Sequence, residues 1–436
     1  MDRCNRLCEQ RKFPLKENPP LPKRRRSLGA KERPVPTRGK PLIVVPPKAP
    51  AARRWLAHLV RAAAGAIRAG DPFDDDLVFE PGAVLALAKR HRVAPLLHRA
   101  KCDGRIGDPL PETFFDACRG IYFATLRKNV LALDAGEEVL ARLAAHGVAA
   151  APLKGWALLT TPVLAGESAP LYSDPGTRPM DDLDLMVAAD ERGLASAVLE
   201  TMGFQPIHSP RVRNSLFEAG HEIAFHKRCG DIDLFVELHW ASAGPESLLR
   251  GMIFSGERFL RTLCVAHGDP GRLVPTQLGN LLFAALHGAR HAYDRWIWLH
   301  DLHRLLTSGP FDWASLVRAA SAWRVRGPLY AGLVATRELF RTPVPKEVIA
   351  VLAPGPVRRG LLHRSLSASM RDEASRRPGR VAKLLLGESW WDVARTAAWA
   401  TLPGAAWYAA RGEEPGFRRR LAQPARAWLQ AGEASR

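Results

Sequence analysis

A short alternation of acidic and apolar residues constrains this chain more than any other feature. In "RPMDDLDLMV", residues 178–187, a strand would place Leu183 and Leu185 on one face and Asp182 and Asp184 on the other. Two carboxylates on one face repel one another and resist removal from water. The pattern therefore predicts a strand whose acidic face is either exposed to solvent or arranged around a cation.

A second alternating segment supplies a third acid. In "DIDLFVELHW", residues 231–240, Glu237 shares a face with Asp233 and His239, and a turn containing Gly230 joins this segment to the alternating "HEIAFHK" before it. If the second strand lies beside the first, Glu237 joins the two aspartates, with Asp233 as the alternative third carboxylate. Three carboxylates at one sheet edge predict a Mg²⁺ site, because this cation prefers oxygen ligands and bridges substrate phosphates.

The segments around these strands have a helical period. Apolar residues recur at i, i+3, i+4 and i+7 before about residue 146, and the pattern from about residue 246 onward is helical again. This predicts an α+β fold, a small mixed sheet with helices between two helical regions. The predicted divisions are a disordered basic Pro-rich tail (1–50), a helical N-terminal region (51–146), an α+β core (147–245), a helical domain (246–355) and a basic Trp/Arg-rich helical C-terminal region (356–436).

The strong positive charge of the chain is confined to its ends. Of the net +19, residues 1–50 carry 14 basic and 4 acidic residues, and residues 356–436 carry 15 basic and 7 acidic ones. Residues 51–355 then hold 34 basic and 33 acidic residues, so the body is close to neutral. This distribution argues against a protein whose main task is nucleic-acid or membrane-surface binding, although tails that bind polyanions stay an alternative to solvated tails.

Cysteine usage and hydropathy favour a cytoplasmic setting. The six cysteines form no CxxC pair, which suits free thiols in a reducing compartment. No signal peptide and no run of 18 apolar residues is recognisable, so no membrane insertion is expected. The four tryptophans Trp390, Trp391, Trp399 and Trp407 favour aromatic core packing over contact with an anionic membrane.

The order of these motifs resembles the nucleotidyltransferase superfamily that includes DNA polymerase β. It resembles more closely a family of bacterial, largely uncharacterised nucleotidyltransferases. The resemblance covers about residues 150–306 and is carried by "LKGWALL", "LYSDPGTRPMDDLDLMV", "MGF", "VELHW" and, more loosely, "LHGARHAYDRWIWLHDLHRLL".

The resemblance implies roles for particular residues. Asp182 and Asp184 would be paired metal ligands and Glu237 the third carboxylate, holding Mg²⁺ or Mn²⁺. Lys154 and Gly155 would take the place of the superfamily's phosphate-binding turn, at a helix N-terminus that favours anions. Arg178 would either bind phosphate or brace the aspartates as an ion pair.

Three further residues are candidates for supporting roles. His239 is expected either to contact Glu237 or to pack as a half-buried histidine. His287 and Asp301 fit the resemblance as part of a helical wall over the site, either structural or facing substrate. His287 and His291 have the i, i+4 spacing of zinc ligands, but no third ligand is evident.

These expectations combine into one predicted activity. The chain is expected to transfer a nucleoside monophosphate from an NTP to an acceptor hydroxyl or phosphate, with release of pyrophosphate. The alternatives are a degenerate nucleotide-binding scaffold without catalysis, and a basic protein that binds nucleic acid or a membrane surface through its tails. Neither the acceptor nor the nucleotide is indicated by the sequence.

Overall fold

The computed structural model describes residues 49–67, 80–107, 110–162, 169–243, 249, 252, 254–268, 270–371 and 377–401. Its first part is helical, as the sequence predicts. The helices are α1 (Ala51–Ala63), α2 (Pro81–Arg90), α3 (Ala94–Cys102) and the long α4 (Glu112–Ala145). Gly147 follows α4 with a φ of 76°, a left-handed conformation that suits glycine and ends the helix.

A five-stranded mixed sheet forms the centre of the described structure, in agreement with the predicted α+β class. Its strands are β1 (Ala150–Pro152), β2 (Leu183–Val187), β3 (Gln205–Pro206), β4 (Glu222–Cys229) and β5 (Ile232–His239), with helices α5 (Lys154–Thr160), α6 (Arg192–Thr201) and α7 (Pro210–Ala219) between them. The spatial order is β1-β2-β5-β4-β3. The β2–β5 pair is parallel, and the other pairs are antiparallel.

The second helical part follows the sheet. It contains α8 (Gly256–Leu263), α9 (Gln277–Arg290), α10 (Trp296–Thr307), α11 (Trp313–Ala322), α12 (Arg326–Phe340), α13 (Lys346–Leu352), α14 (Pro356–Arg371), α15 (Arg377–Leu385) and α16 (Trp390–Thr401). Helices α9, α10 and α12 pack on one another through buried Leu, Ala and aromatic side chains. This packing fixes α9 and α10, which lie on one side of the site described below.

Two features of this second part differ from the sequence expectation. A small antiparallel hairpin, β6 (Cys264–Ala266) and β7 (Leu273–Pro275), interrupts the helices. Its strands have three residues each, too few for a period-2 pattern to stand out. The expectation of aromatic core packing is wrong for Trp390 and Trp391, which are 52% and 73% exposed.

Two expectations about the ends of the chain cannot be compared with the structure. The predicted disorder of residues 1–50 lies almost wholly outside the described residues, as does the arginine cluster after residue 401. Among the described helices, none combines the length and the apolar character that a membrane span requires.

Strand β2 is buried on both faces. All five of its residues are buried, because α8 packs against it and the core covers its apolar side. The acidic face of the strand is therefore not a solvated edge: Asp184 is only 2% exposed. A buried carboxylate requires compensating partners. The structure therefore favours an acidic face arranged around a cation over one exposed to solvent.

Close packing of α8 on the sheet predicts a large effect for one glycine. A Cβ added at Gly256 would lie 2.0 Å from the carbonyl oxygen of Val187, a backbone atom that cannot rotate away. We expect Gly256→Ala to lower the free energy of unfolding by about 1–3 kcal/mol in urea denaturation. Gly193→Ala in α6 is the matched control, since a Cβ there meets nothing within 4 Å. Equal stability of the two variants would contradict this packing.

Candidate active site

The predicted carboxylates meet at one end of the β2–β5 pair. In this parallel pair Asp184 lies directly opposite Glu237, so both side chains project from the same face. Asp182 precedes β2 by one residue and lines the same cleft. The strands β2 and β5 are therefore neighbours, as the predicted carboxylate site requires. Asp233, the alternative third carboxylate, lies far along β5 and pairs with His226 and Arg228 at an exposed position.

Lys154 places an ammonium group between two of these carboxylates. Its Nζ forms an ion pair with Oδ1 of Asp184 and lies 3.6 Å from Oε2 of Glu237. The residue begins α5 with a φ of 52°, a left-handed conformation unusual for a side chain of this size. Although burial opposes it, the charges of Asp184 and Glu237 raise the pKa of Lys154, so the ammonium is retained.

His239 adds a second positive charge behind Asp184. Its Nε2 lies 2.9 Å from Oδ1 of Asp184 and 3.5 Å from Oε2 of Glu237, and its Nδ1 lies 3.0 Å from Oε2 of Glu222. Burial opposes protonation, but Glu222 and Asp184 raise the pKa of His239 well above its usual value. The fully buried ring is thus an imidazolium between carboxylates, which agrees with the expected contact to Glu237.

Asp182 and Glu237 differ in their proton affinity. Burial and the neighbouring charges of Asp184 and Glu237 raise the pKa of Asp182 to about 8. Burial would also raise the pKa of Glu237, but the Lys154 ammonium and His239 lower it to about 2. Asp182 therefore experiences the repulsion that the two internal cations do not cancel.

Arg178 is held by a buried carboxylate of the helical part. Its Nε and Nη2 donate to Oδ1 and Oδ2 of Asp301 at 2.9 and 2.7 Å, a bidentate pair between a loop and α10. The hydroxyl of Tyr172 donates to Oδ1 of the same aspartate at 2.7 Å. Arg178 therefore forms its ion pair with Asp301 and not with Asp182 or Asp184, the partners considered in the sequence. For Asp301 the contacts favour the structural of its two expected roles.

Gly155 lies against the loop that leads to the aspartates. A Cβ at this position would approach Met180 Cγ to 2.7 Å and Arg178 Nη1 to 3.2 Å. The glycine therefore lets the start of α5 pack closely on this loop. Both Gly155 and Lys154 line the cleft, at the place predicted for a phosphate-binding turn.

A cleft of about 1130 Å³ lies over the carboxylates. One wall is apolar, with Ile207, Val212, Leu216 and Phe235 from the β3–α7 region and β5. The opposite edge carries three cations from different elements. We call them the basic rim; they are Arg92, Lys128 and Arg295.

A comparison with protein families identifies the family of this chain. The family model described as uncharacterised nucleotidyltransferase matches residues 78–341, which is more than half of the chain. The chain belongs to this nucleotidyltransferase family. No curated protein and no solved structure matches it. The matched range includes helices α2–α4 as well as the sheet. The cleft residues Arg92 and Lys128, which come from this helical part, therefore lie within the range that the family model covers.

The wall formed by α9 and α10 contains an aromatic cluster. The rings of His287, His291 and Trp298 lie 4.8–5.0 Å apart by their centroids, and all three residues line the cleft. Burial and the charge of Lys154 lower the pKa of His287 well below its usual value, so this histidine is neutral. No third ligand accompanies the two histidines within the described ranges, so zinc binding is not supported.

Nucleotidyltransferases generally use divalent metals, and the donor set of this chain fits one. Carboxylate oxygens of Asp184 and Glu237 lie within 4.8 Å of one another, and Asp182 lies at the same strand end; His239, as an imidazolium, pairs with these carboxylates and does not bind a metal itself. The chemistry of the donor set supports the fit, because Lys154 and His239 both contact Oδ1 of Asp184 and leave its Oδ2 available. A cation beside Asp182 would offset its repulsion from Asp184 and Glu237, and carboxylate oxygens are ligands that Mg²⁺ prefers.

Sequence reasoning missed two parts of this candidate site. Glu222 faces His239 across the β4–β5 pair, a partnership visible only once the strand register is known. The basic rim combines residues 92, 128 and 295, which are far apart in the chain and share no motif. The signal that could have found either part is the arrangement of the elements in space.

Proposed function

We propose that this chain transfers a nucleoside monophosphate from an NTP to an acceptor hydroxyl or phosphate, with release of pyrophosphate and in dependence on Mg²⁺ or Mn²⁺. The observation that carries the proposal is the register of β2 and β5, which brings Asp184 and Glu237 together beside Asp182 at the floor of a large cleft. Membership of the nucleotidyltransferase family supports the reaction class.

The reaction exchanges one phosphorus–oxygen bond for another. The acceptor oxygen bonds to the α-phosphorus and loses its proton to solvent, while the bond from the α-phosphorus to the bridging oxygen breaks and pyrophosphate leaves. When bound, the metal neutralises charge on the attacking and leaving oxygens. Asp182, Asp184 and Glu237 would hold it.

The remaining residues act by position and charge. With its pKa at about 2, Glu237 stays ionised at neutral pH and can accept a hydrogen bond from the acceptor hydroxyl. Lys154 keeps a positive charge within reach of a phosphate at the cleft floor. Imidazolium His239 fixes one oxygen of Asp184, leaving its other oxygen for the metal. Arg178 and Asp301 hold the loop before β2 in place.

The experiment combines binding and transfer. We expect calorimetry to detect NTP binding that requires Mg²⁺ or Mn²⁺, and the Asp182→Asn/Asp184→Asn variant to weaken it at least tenfold, because two ligand charges are lost. Asp233→Asn is the matched control, as this carboxylate lies on β5 but is exposed and away from the cleft. The same proteins are then incubated with α-labelled NTP and a metabolite extract.

Label transferred by the wild type and by Asp233→Asn, but not by the double variant, is the result the proposal requires. NTP binding without labelled product or pyrophosphate in any extract would instead identify a nucleotide-binding scaffold. Equal binding and transfer by the double variant would remove the carboxylates from the mechanism and end the proposal.

A further inference from the structure

The basic rim gathers three cations around a single acidic side chain. Arg92 forms an ion pair with Oδ2 of Asp181, and Nη1 of Arg295 lies 4.0 Å from the same oxygen. Lys128 donates from Nζ to the backbone carbonyl of Asp181 at 2.9 Å. The Asp181 carboxylate thus lies against the guanidinium groups of both Arg92 and Arg295, while the Lys128 ammonium donates to an uncharged carbonyl oxygen. Within the described part of the chain, the rim therefore carries excess positive charge beside the cleft.

The two guanidinium groups of the rim repel one another. Burial and then the charge of Arg92 lower the pKa of Arg295, and the charges of Asp294 and Asp181 oppose this only in part. Arg295 is nevertheless held in place, with its guanidinium 5.3 Å from the ring centroid of Trp298. The three cations come from the α2–α3 connection, from α4 and from the start of α10. Three separate elements therefore place a positively charged side chain next to Asp181. An anion with several charges would relieve this repulsion.

The rim also has a defined position relative to the carboxylates. Asp181, which holds the rim, immediately precedes Asp182, and the charge of Asp182 acts on Arg295. The wall of the cleft on the α7 and β5 side is apolar. Arg290 also lines the cleft, but its guanidinium donates to the backbone carbonyl of Ser242 and lies 3.9 Å from Oε2 of Glu222. A substrate phosphate chain that begins at Asp182 and Asp184 can therefore extend over the rim and meet complementary charge there.

We propose that Arg92, Lys128 and Arg295 form the subsite for the β- and γ-phosphates of the NTP, which leave together as pyrophosphate. This assignment rests on the proposed nucleotidyl transfer, but it adds residues that neither the family motifs nor the carboxylate pattern indicate. Guanidinium groups suit such a ligand because they donate paired hydrogen bonds to phosphate oxygens. Their charge also stabilises the negative charge that develops on the leaving group.

The test uses calorimetry on the full chain with Mg²⁺ and inorganic pyrophosphate as the first probe. We expect the Arg92→Gln/Arg295→Gln variant to bind pyrophosphate about tenfold more weakly for each guanidinium removed, because each removal eliminates charge-assisted hydrogen bonds to phosphate oxygens. The NTP that binds best should lose affinity similarly, and its monophosphate should keep its affinity within about twofold. Arg127→Gln is the matched control, because this exposed arginine of α4 pairs with Asp231 and is not among the described cleft residues.

Unchanged pyrophosphate affinity in the Arg92→Gln/Arg295→Gln variant would overturn the assignment. So would equal weakening of monophosphate and NTP binding in that variant, or equal weakening of pyrophosphate binding by Arg127→Gln. Displacement of pyrophosphate by a single-stranded oligonucleotide that binds more tightly than any NTP would also overturn it, in favour of a nucleic-acid backbone. An Arg92→Lys/Arg295→Lys variant, which keeps the charge, should bind pyrophosphate better than the glutamine variant.

The two proposals fail in different ways. If pyrophosphate and NTP binding depend on the rim but no nucleotidyl group is ever transferred, the proposed function is wrong and the phosphate subsite stands. If transfer occurs and KM for the NTP is unchanged in the Arg92→Gln/Arg295→Gln variant, the subsite is wrong and the proposed function stands.

Discussion

Replacing Lys154 with methionine is expected to lower the free energy of unfolding by about 3–5 kcal/mol in the absence of metal, because only the His239 imidazolium then offsets the charge of the buried carboxylates. The ammonium contacts Asp184, which is almost fully buried, and lies close to Glu237. Methionine has a similar volume and is unbranched, so it adds little new strain at the left-handed φ of this position.

Magnesium should reverse much of this loss. A ligand that binds only the folded state stabilises it by about 2.7 kcal/mol at a concentration one hundred times its dissociation constant. We expect urea denaturation with and without MgCl₂ to show a larger metal-dependent gain for Lys154→Met than for the wild type, where the ammonium competes for the same carboxylates. Lys89→Met, at an exposed position of α2, should show neither the loss nor the gain.

A Lys154→Met protein that is destabilised but does not respond to Mg²⁺ or Mn²⁺ would contradict the metal assignment. It would indicate that the carboxylates and Lys154 form a purely structural ion-pair network. A variant as stable as the wild type would instead contradict the ion pairs themselves.

The second large effect is expected at Arg178. Substitution by methionine should lower the free energy of unfolding by about 3–5 kcal/mol, because Asp301 would stay buried after losing its bidentate partner. In contrast to Lys154→Met, added Mg²⁺ should not restore this loss, since Asp301 does not line the large cleft with the carboxylates proposed to bind the metal. The paired experiments therefore separate a metal-binding carboxylate from a structural one.

A double variant provides the control for Arg178→Met. In Arg178→Met/Asp301→Leu both charges are gone, and the hydroxyl of Tyr172 keeps its contact with Nδ1 of His300 at 2.8 Å. We expect this variant to recover most of the lost stability, as buried ion pairs are often replaceable by apolar residues. If the double variant is as unstable as the sum of two single losses, then Arg178 is needed for packing rather than for its charge.

Alternation along two strands predicted the central carboxylates well. Period-2 patterning is a local property, so Asp182, Asp184 and Glu237 could be assigned to one face from residues that are close in the chain. Their mutual contact required one further assumption, that the strands be neighbours, and the structure confirms it through the Asp184–Glu237 register. The exact environment was not predictable, because burial of β2 on both faces depends on α8, which follows some 70 residues later.

The parts of the site that escaped sequence reasoning all depend on long-range pairing. Arg178 and Asp301 are separated by 123 positions, and no spacing rule joins a loop residue to a helix so far away. The sequence therefore left open whether Arg178 binds phosphate or braces the aspartates as an ion pair, and it did not indicate the actual partner, Asp301. The position of the Lys154 ammonium between two acids was also unpredictable, since the same residue at a helix start is typical of phosphate binding.

The scattered origin of the cleft residues determines how short an active version of this protein can be. A fragment limited to the α+β core, 147–245, would keep all three carboxylates but lose Arg92, Lys128 and Arg295. It would also leave Arg178 without Asp301, so its loop would lack the contact that fixes it. The carboxylate motif and the proposed phosphate subsite thus require different lengths of chain, and the subsite includes helices that precede and follow the sheet.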